Sequence, residues 1–321
     1  MAGGDAVTDA VAAVAAVGEE LGAALPIAPE AGVPFSRLST YRVGGPVALL
    51  VRVPSDAALR VVATSIRRHR PPVLVVGRGS NLLMTDTGFT GVVVKLEGEF
   101  DALAVPSAGP DTAVVRAGGA VLLPVLARRA AAAGWSGLEF FVGIPGSVGG
   151  ALRMNAGGHG RETVEVLRRA WVLDLAGECD SPALRSVESL DLGYRSSALQ
   201  TTDVVTRAEL AVTADDPGAC ERRVAEIVEW RREHQPGGAN AGSVFRNPPG
   251  DSAGRLIEAA GLKGLRVGGA VVSAKHANFV QGEDGATSSD VRALMAEVQR
   301  RVRERTGVEL EPELHVVGDG A

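Results

Sequence analysis

The chain has 321 residues and a mass of 33.0 kDa, long enough for two domains, and its 45% apolar and 22% charged residues are globular values that exclude disorder for the whole. The uncharged run Ala10 to Gly18 falls far short of the roughly 20 residues a bilayer span needs, and the first ten residues, with Asp5 and Asp9 and no basic residue, do not read as a secretory signal. Thirty-three basic against thirty-eight acidic residues give a net charge of −5, which argues against a nucleic-acid surface.

Only Lys95, Lys263 and Lys275 among the basic residues are lysines, a skew that reflects composition rather than function. Cys179 and Cys220 show neither metal-ligand spacing nor a disulfide framework, so no metal is expected and a cytoplasmic setting is. The forty-one glycines cluster in a few places where backbone can approach a ligand closely.

In chain order, residues 1–33 are an alanine-rich extension, a short helix or a frayed end, closing at Pro26-Ile27-Ala28-Pro29. Val47–Val53 reads as a strand, and Pro54-Ser55-Asp56 opens a helix to about His69. Val73–Val76 and Val92–Leu96 read as strands on either side of Gly77-Arg78-Gly79-Ser80-Asn81-Leu82-Leu83. A strand at Ala113–Ala117 and a helix over Val121–Ala133 precede a second glycine-rich tract, Gly143 to Gly160. Val164–Leu175 and Asp203–Val212 read as strands around a loop carrying Gly193-Tyr194-Arg195-Ser196-Ser197. Pro217 starts a helix to Arg232, and Gln235–Gly242 is a candidate boundary. A helix near Ser252–Ala260 and strands near Ala270 and Asn278 follow. Val291, Leu294, Met295, Val298 and Val302 mark a helix over Ser288–Arg305, and Glu313–Val317 is a last strand. The mixture predicts an α+β fold.

The heptapeptide from Gly77 follows a strand, where successive main-chain N–H groups form an anion-binding nest, although the same residues also make an ordinary turn. Its spacing is neither a Rossmann fingerprint nor a Walker loop. Gly143-Ile144-Pro145-Gly146-Ser147-Val148-Gly149-Gly150, followed by Asn155-Ala156-Gly157-Gly158-His159-Gly160, has no hairpin pattern. Two such loops about seventy residues apart suggest a long dinucleotide threaded between main-chain segments.

The heptapeptide and the tract from Gly137 to Glu162, together with Thr40-Tyr41-Arg42-Val43-Gly44-Gly45-Pro46, Gly193-Tyr194-Arg195, Ala241-Gly242-Ser243-Val244-Phe245-Arg246-Asn247-Pro248 and Leu310-Glu311-Pro312-Glu313, resemble the UDP-N-acetylenolpyruvoylglucosamine reductase (MurB) family from about Leu38 to Val317. The resemblance implies an α+β, FAD-binding domain of the PCMH/vanillyl-alcohol-oxidase type over 34–215, with subdomains of about 34–105 and 106–215. A substrate-binding α+β domain over 216–308 and a C-terminal strand and tail over 309–321 complete the expected division. The implied reaction reduces an enolpyruvyl ether on UDP-N-acetylglucosamine to UDP-N-acetylmuramate for peptidoglycan. NADPH reduces non-covalent FAD, and flavin N5 then gives hydride to the vinyl carbon.

Residue by residue, the resemblance makes Arg195, Ser243 and Glu313 catalytic. Arg195 binds the substrate carboxylate bidentately, and Ser243 gives a proton to the carbon beside it. Glu313 polarises the same carboxyl group, and as a hydrogen-bond donor it has to be protonated there. The implied cofactor-binding set is Gly77, Gly79, Ser80, Asn81, Leu82, Gly143, Gly146, Ser147, Gly149, Gly150, Asn155 and Gly157. Tyr194, Asn247 and His276 are the implied substrate contacts. Neither nucleic acid nor membrane is expected as a partner. Tyr41 and Tyr194 are the only tyrosines and both stand in other motifs, so the chain resembles the subgroup that lacks a tyrosine-bearing lid over the UDP group. Three other readings share these marks: a flavin oxidase of the same fold, a paralogue acting on another nucleotide sugar, and a nucleotide-binding scaffold without turnover. Covalent FAD distinguishes the first, and bound nucleotide without NADPH consumption the last.

Overall fold

A computed structural model describes residues 2–107 and 111–320, with side chains from residue 8 onward. Residue 1 of the expected extension and residue 321 of the expected tail lie outside the described residues. The chain opens with α1 (Ala2–Ala24), β1 (Glu30–Pro34), β2 (Pro46–Val53), α2 (Asp56–His69), β3 (Val73–Val75), β4 (Leu82–Met84) and β5 (Phe89–Leu96). It continues with β6 (Leu103–Ala104), β7 (Thr112–Gly118), α3 (Leu123–Ala132), β8 (Trp135–Ser136), α4 (Val148–Arg153), β9 (Gly157–Gly158), β10 (Arg161–Glu162) and α5 (Thr163–Val166). Next come β11 (Leu167–Asp174), β12 (Ala183–Ser186), α6 (Val187–Leu190), β13 (Asp203–Ala214) and α7 (Pro217–His234). The last elements are α8 (Ala253–Ala259), β14 (Arg266–Val267), β15 (Ala270–Val272), β16 (Val280–Gly282), α9 (Ser288–Thr306) and β17 (His315–Val317).

These elements form two units that alternate along the chain. One takes Met1–Ala31, Leu49–Arg78 and Thr90–Trp230; the other takes Gly32–Ala48, Gly79–Phe89 and Arg231–Ala321.

The first unit is built on an antiparallel sheet of order β12-β11-β13-β7-β6, with β8 also paired to β13. The twelve-residue β13 buries Val204, Val205, Ala208, Leu210 and Val212 while Arg207 stays exposed. Leu126, Trp135, Phe141 and Leu152 pack into the same core, and the Trp135 indole N–H donates to the Pro106 carbonyl at 2.8 Å. Within β3 and β5, parallel pairing puts Val73 opposite Val92 and Val75 opposite Val94. Ser55 caps α2 by accepting the Ala58 N–H at 3.2 Å, and Arg67, Arg68 and His69 in its last turn complement the helix dipole.

The alanine-rich start is an ordered helix rather than a frayed end. Val14, Val17 and Leu21, at helical spacing, are buried, and the Glu20 carboxylate accepts from Ser65 and pairs with Arg68 and His69 on α2.

The second unit centres on α9, whose Val291, Leu294, Met295, Val298 and Val302 are buried as the periodicity predicts. Thr287 and Asp290 form its capping box, and Gly307 at φ 75° ends it in the left-handed conformation. β15 sits between β14 and β16, and β17 runs parallel to β4 with His315 opposite Leu82. Tyr41 is fully buried; its hydroxyl donates to the Val280 carbonyl at 2.7 Å, and burial pushes the phenol pKa up.

Three expected strands differ in detail. Residues 163–166 form one helical turn before β11 begins, because Glu165 folds back to accept the Glu162 N–H at 2.7 Å. Asn278 lies in the turn between β15 and β16, where its buried amide accepts from the Phe245 N–H at 3.0 Å and donates to the Phe245 carbonyl at 2.8 Å. The final strand starts at His315, because Glu313 bonds instead to the segment around Val244.

Candidate active site

In the first unit the two glycine-rich tracts approach each other at Gly77. A Cβ there meets the Ser147 Oγ at 2.3 Å, and Ser147 itself accepts from the Gly150 N–H at 3.5 Å as the N-cap of α4. A side chain at 77 would therefore crowd the Ser147 hydroxyl before any ligand is considered. The Lys95 ammonium donates to the Gly77 carbonyl at 2.7 Å, and burial lowers its pKa from the usual lysine value. In the second tract, Ile144, Val148 and Gly149 donate their N–H groups to the carbonyls of Phe141, Val121 and Gly119. Gly146 and Ser147 donate to no main-chain carbonyl among the described residues.

The first tract is better supplied. Among the described residues, none of the main-chain N–H groups from Gly77 to Asn81 donates to another main-chain group. In the second unit, Gly79 at φ 61° is held tightly, since a Cβ there lies 2.4 Å from the Leu38 carbonyl oxygen. The Thr40 N–H donates to the Gly79 carbonyl at 3.4 Å, and the buried Thr40 hydroxyl has no hydrogen-bond partner among the described residues. Within the second unit, the main-chain N–H groups of Gly79, Ser80 and Asn81 and the orphaned buried Thr40 hydroxyl fit a phosphate-bearing cofactor such as FAD. Leu82, the remaining member of the expected set here, begins β4.

Arg195 belongs to the first unit, on the tight turn Gly193–Ser196, with φ 55°. Its Nη1 faces Glu162 Oε1 at 3.5 Å, its Nη2 faces the Gly157 carbonyl at 3.5 Å, and its Cζ lies 5.0 Å from the Tyr194 ring centre. A Cβ at Gly157 meets the Glu162 Cγ at 2.8 Å and Arg195 Nη1 at 3.3 Å, so glycine leaves room for the guanidinium. Asn155, fully buried at φ 39°, donates to Glu162 Oε2 at 2.9 Å and to the Gly193 carbonyl at 3.0 Å, and accepts the Val164 N–H at 2.9 Å. Both amide donors of Asn155 are thus committed within the protein. His159, at φ 52°, sets its ring edge-on to Trp230 at 5.0 Å.

Ser243 and Glu313 come together in the second unit. Ser243 bridges to Phe279, the next residue's carbonyl accepts the Glu313 N–H at 2.9 Å, and Asn81 donates its side-chain amide to the Glu313 carbonyl at 3.1 Å. Among the described residues the Ser243 hydroxyl makes no hydrogen bond, so it is not occupied by local backbone bonding as loop serines usually are. Asn247 is exposed, and its Oδ1 accepts the Ala253 N–H at 3.1 Å at the start of α8. His276 is half-buried: Nδ1 accepts the Asn278 N–H at 3.2 Å and the ring stands edge-on to Phe279. Burial, with Lys263 nearby, lowers its pKa, which favours the neutral imidazole.

Sequence reasoning missed Thr40, Lys95, Glu162 and Asn278. Glu162 had a signal, since it closes the Gly137–Glu162 tract that also carries Asn155 and Gly157. Thr40 stands in a motif of the resemblance, but its unpaired buried hydroxyl is visible only in three dimensions. Among the described residues no group of His, Cys, Asp and Glu is arranged to hold a metal ion.

A family model described as the C-terminal domain of UDP-N-acetylenolpyruvoylglucosamine reductase matches residues 234–317, and one described as an FAD binding domain matches residues 47–179. The chain is 44% identical to the UDP-N-acetylenolpyruvoylglucosamine reductase of Heliobacterium modesticaldum over 294 residues, covering 89% of this chain and 90% of the relative. The reductase of Rubrobacter xylanophilus is 42% identical, with 89% and 94% covered. The crystal structure of the MurB reductase from Thermus caldophilus superimposes with a TM-score of 0.76 at 38% identity, covering 88% of this chain and 97% of that one. The α+β fold, the glycine tracts and these matches together show that the chain belongs to the UDP-N-acetylenolpyruvoylglucosamine reductase (MurB) family.

Proposed function

We propose that Arg195, Ser243 and Glu313 perform the substrate half of the family reaction. As a member of that family the chain is an FAD-containing, NADPH-dependent reductase of UDP-N-acetylenolpyruvoylglucosamine, forming UDP-N-acetylmuramate. Bound FAD supplies the hydride-transfer chemistry between NADPH and the vinyl carbon. Addition at that carbon drives negative charge toward the substrate carboxylate, so the protein has to stabilise an enolate-like species and then protonate it. The planar Arg195 guanidinium supplies fixed positive charge for a carboxylate, and Glu313, in its protonated form, donates a hydrogen bond to the same group. Ser243 delivers the proton to the adjacent carbon.

The observation that supports this reading is the main-chain bond from Glu313 to Val244, which sets Glu313 beside the Ser243–Val244 segment; among the described residues the Ser243 hydroxyl makes no hydrogen bond.

For FAD, we propose non-covalent binding chiefly by the main chain of Gly77, Gly79, Ser80, Asn81 and Leu82, and of Gly143, Gly146, Ser147, Gly149 and Gly150, with Asn155 and Gly157 as further contacts. The unpaired N–H groups from Gly77 to Asn81 support the first set most strongly. For Asn155 the side-chain amide donors and the main-chain N–H are already taken within the protein, which leaves its main-chain carbonyl as the group open to the cofactor. Tyr194, Asn247 and His276 are proposed substrate contacts. The proposed functional division assigns 34–215 to cofactor and 216–308 to substrate, with 309–321 delivering Glu313. Work on a UDP-linked precursor, two unbridged cysteines and the lack of any described helix long and apolar enough to cross a membrane support a cytoplasmic setting. Incubation of the purified protein with NADPH and the enolpyruvyl substrate should give a product two mass units heavier, with one NADPH consumed per product. NADPH consumption without that product would favour the oxidase or the paralogue, and bound nucleotide without consumption the scaffold.

A further inference from the structure

Arg195 is held by an arrangement larger than its own turn. Two non-glycine residues here adopt left-handed backbone conformations, Asn155 at φ 39° and Arg195 at φ 55°, and such conformations persist only where surroundings enforce them. The enforcing contacts meet at Asn155 and Glu162. One amide N–H of Asn155 fixes the carbonyl of Gly193, two residues before Arg195, and the other fixes Glu162 Oε2. The second oxygen of Glu162 then faces Arg195 Nη1. Both ends of the Arg195 segment, its backbone turn and its guanidinium, are thereby referred to one fully buried side chain.

The Arg195 side chain is 19% exposed and that of Glu162 33%, so the pair is partly shielded from water while a face of the site stays open. An arginine on such a turn has several rotamers, and only some present its two donors to a carboxylate together. A carboxylate fixed beside Nη1, with the Gly157 carbonyl beside Nη2 and the Tyr194 ring beneath, restricts that choice.

We propose that Glu162, oriented by Asn155, is a positioning residue for Arg195: it holds the guanidinium ready for the substrate carboxylate without touching the substrate itself. This inference rests on the reading of Arg195 given above and extends it to a residue with no assigned role.

The test uses the FAD-loaded enzyme and four variants, Glu162→Gln, Glu162→Asp, Arg195→Ala and the double variant Glu162→Gln/Arg195→Ala. Calorimetry measures binding of the enolpyruvyl substrate and of UDP-N-acetylglucosamine, which lacks the carboxylate. Stopped-flow separates flavin reduction by NADPH from reoxidation by substrate. Glu162→Gln should weaken binding of the enolpyruvyl substrate and slow reoxidation by roughly 10- to 100-fold, the scale expected when a reacting group is misplaced by about an ångström. Affinity for UDP-N-acetylglucosamine and the NADPH step should stay at wild-type values. Glu162→Asp, which keeps the charge one methylene further back, should fall between wild type and the glutamine variant. In the Arg195→Ala background, Glu162→Gln should add nothing, because its effect passes through Arg195.

Wild-type reoxidation in Glu162→Gln beside an impaired Arg195→Ala overturns the positioning role alone. Normal substrate reduction by Arg195→Ala overturns the underlying reading of Arg195 instead. Equal losses in both half-reactions, or for both ligands, show a general structural effect and also overturn the proposal. If Glu162→Gln does not fold, wild-type behaviour of Glu162→Asp contradicts it.

Discussion

The main-chain N–H of Glu313 donates to the carbonyl of Val244 at 2.9 Å, which ties the proposed carboxyl-polarising residue to the neighbour of the proposed proton donor. The Asn81 side chain reinforces the link by donating to the Glu313 carbonyl at 3.1 Å, and the Asn81 carbonyl accepts the His315 N–H at 3.1 Å. Asn81→Ala should therefore loosen Glu313 as well as the glycine turn. A neutral hydrogen bond of this kind is worth about 1 kcal/mol, so a modest fall in Tm should accompany slower reoxidation by substrate. An unchanged Tm with unchanged turnover would show that the contact is dispensable.

Much of this arrangement was legible in the sequence. The spacing of Val291, Leu294, Met295, Val298 and Val302 specified α9 because a helix of that length needs one apolar stripe and shows it. The alternation of the two units was not legible, because β4 pairs with β17 across more than two hundred residues and neither three-residue strand has a pattern of its own. The motif order named Ser243 and Glu313, while their proximity depends on long-range main-chain bonds that leave no trace in side-chain type. The resemblance makes Asn155, in a glycine tract, a cofactor residue. Its commitment to Glu162 and Gly193 follows from a buried left-handed conformation that composition does not reveal.

Gly77→Ala should lower both stability and FAD occupancy. The new Cβ meets Ser147 Oγ at 2.3 Å, and overpacking of this kind costs roughly 1–3 kcal/mol. The Ser147 Cβ is 3.5 Å away, an ordinary contact, so Ser147→Ala in the same chain should relieve the clash and recover part of the lost Tm. Thermal melts of the two single variants and the double variant check this. A double variant no better than the sum of the singles would contradict the geometry.

His276 gives the second unit a pH dependence of definite sign. Burial lowers its pKa in the folded state below the usual 6.5, so the folded protein binds fewer protons than the unfolded chain near and below that value. Its contribution to stability is complete above about pH 6.5 and is lost as pH falls through the depressed folded value. Protonation also ends the acceptance of the Asn278 N–H by Nδ1. Denaturant midpoints between pH 7.5 and 5 should fall more steeply for the wild type than for His276→Gln. Parallel curves would remove His276 as the titrating group.

FAD should leave the protein on acid precipitation and appear in the supernatant. The motive is that the glycine tracts offer main-chain donors, and His159 is turned against Trp230. Yellow colour retained in the pellet would mean a covalent link and favour the oxidase reading.

Ser243→Ala, followed by stopped-flow at the flavin band, tests the proton-donor role most directly. Flavin reduction by NADPH requires no proton at the substrate carbon and should proceed at the wild-type rate. Reoxidation by the enolpyruvyl substrate requires one, and general acid catalysis is typically worth roughly 10²–10⁴-fold, so that step should slow by at least the lower figure. Wild-type reoxidation with full formation of UDP-N-acetylmuramate would contradict the role given to Ser243 and, with it, the assignment of the site.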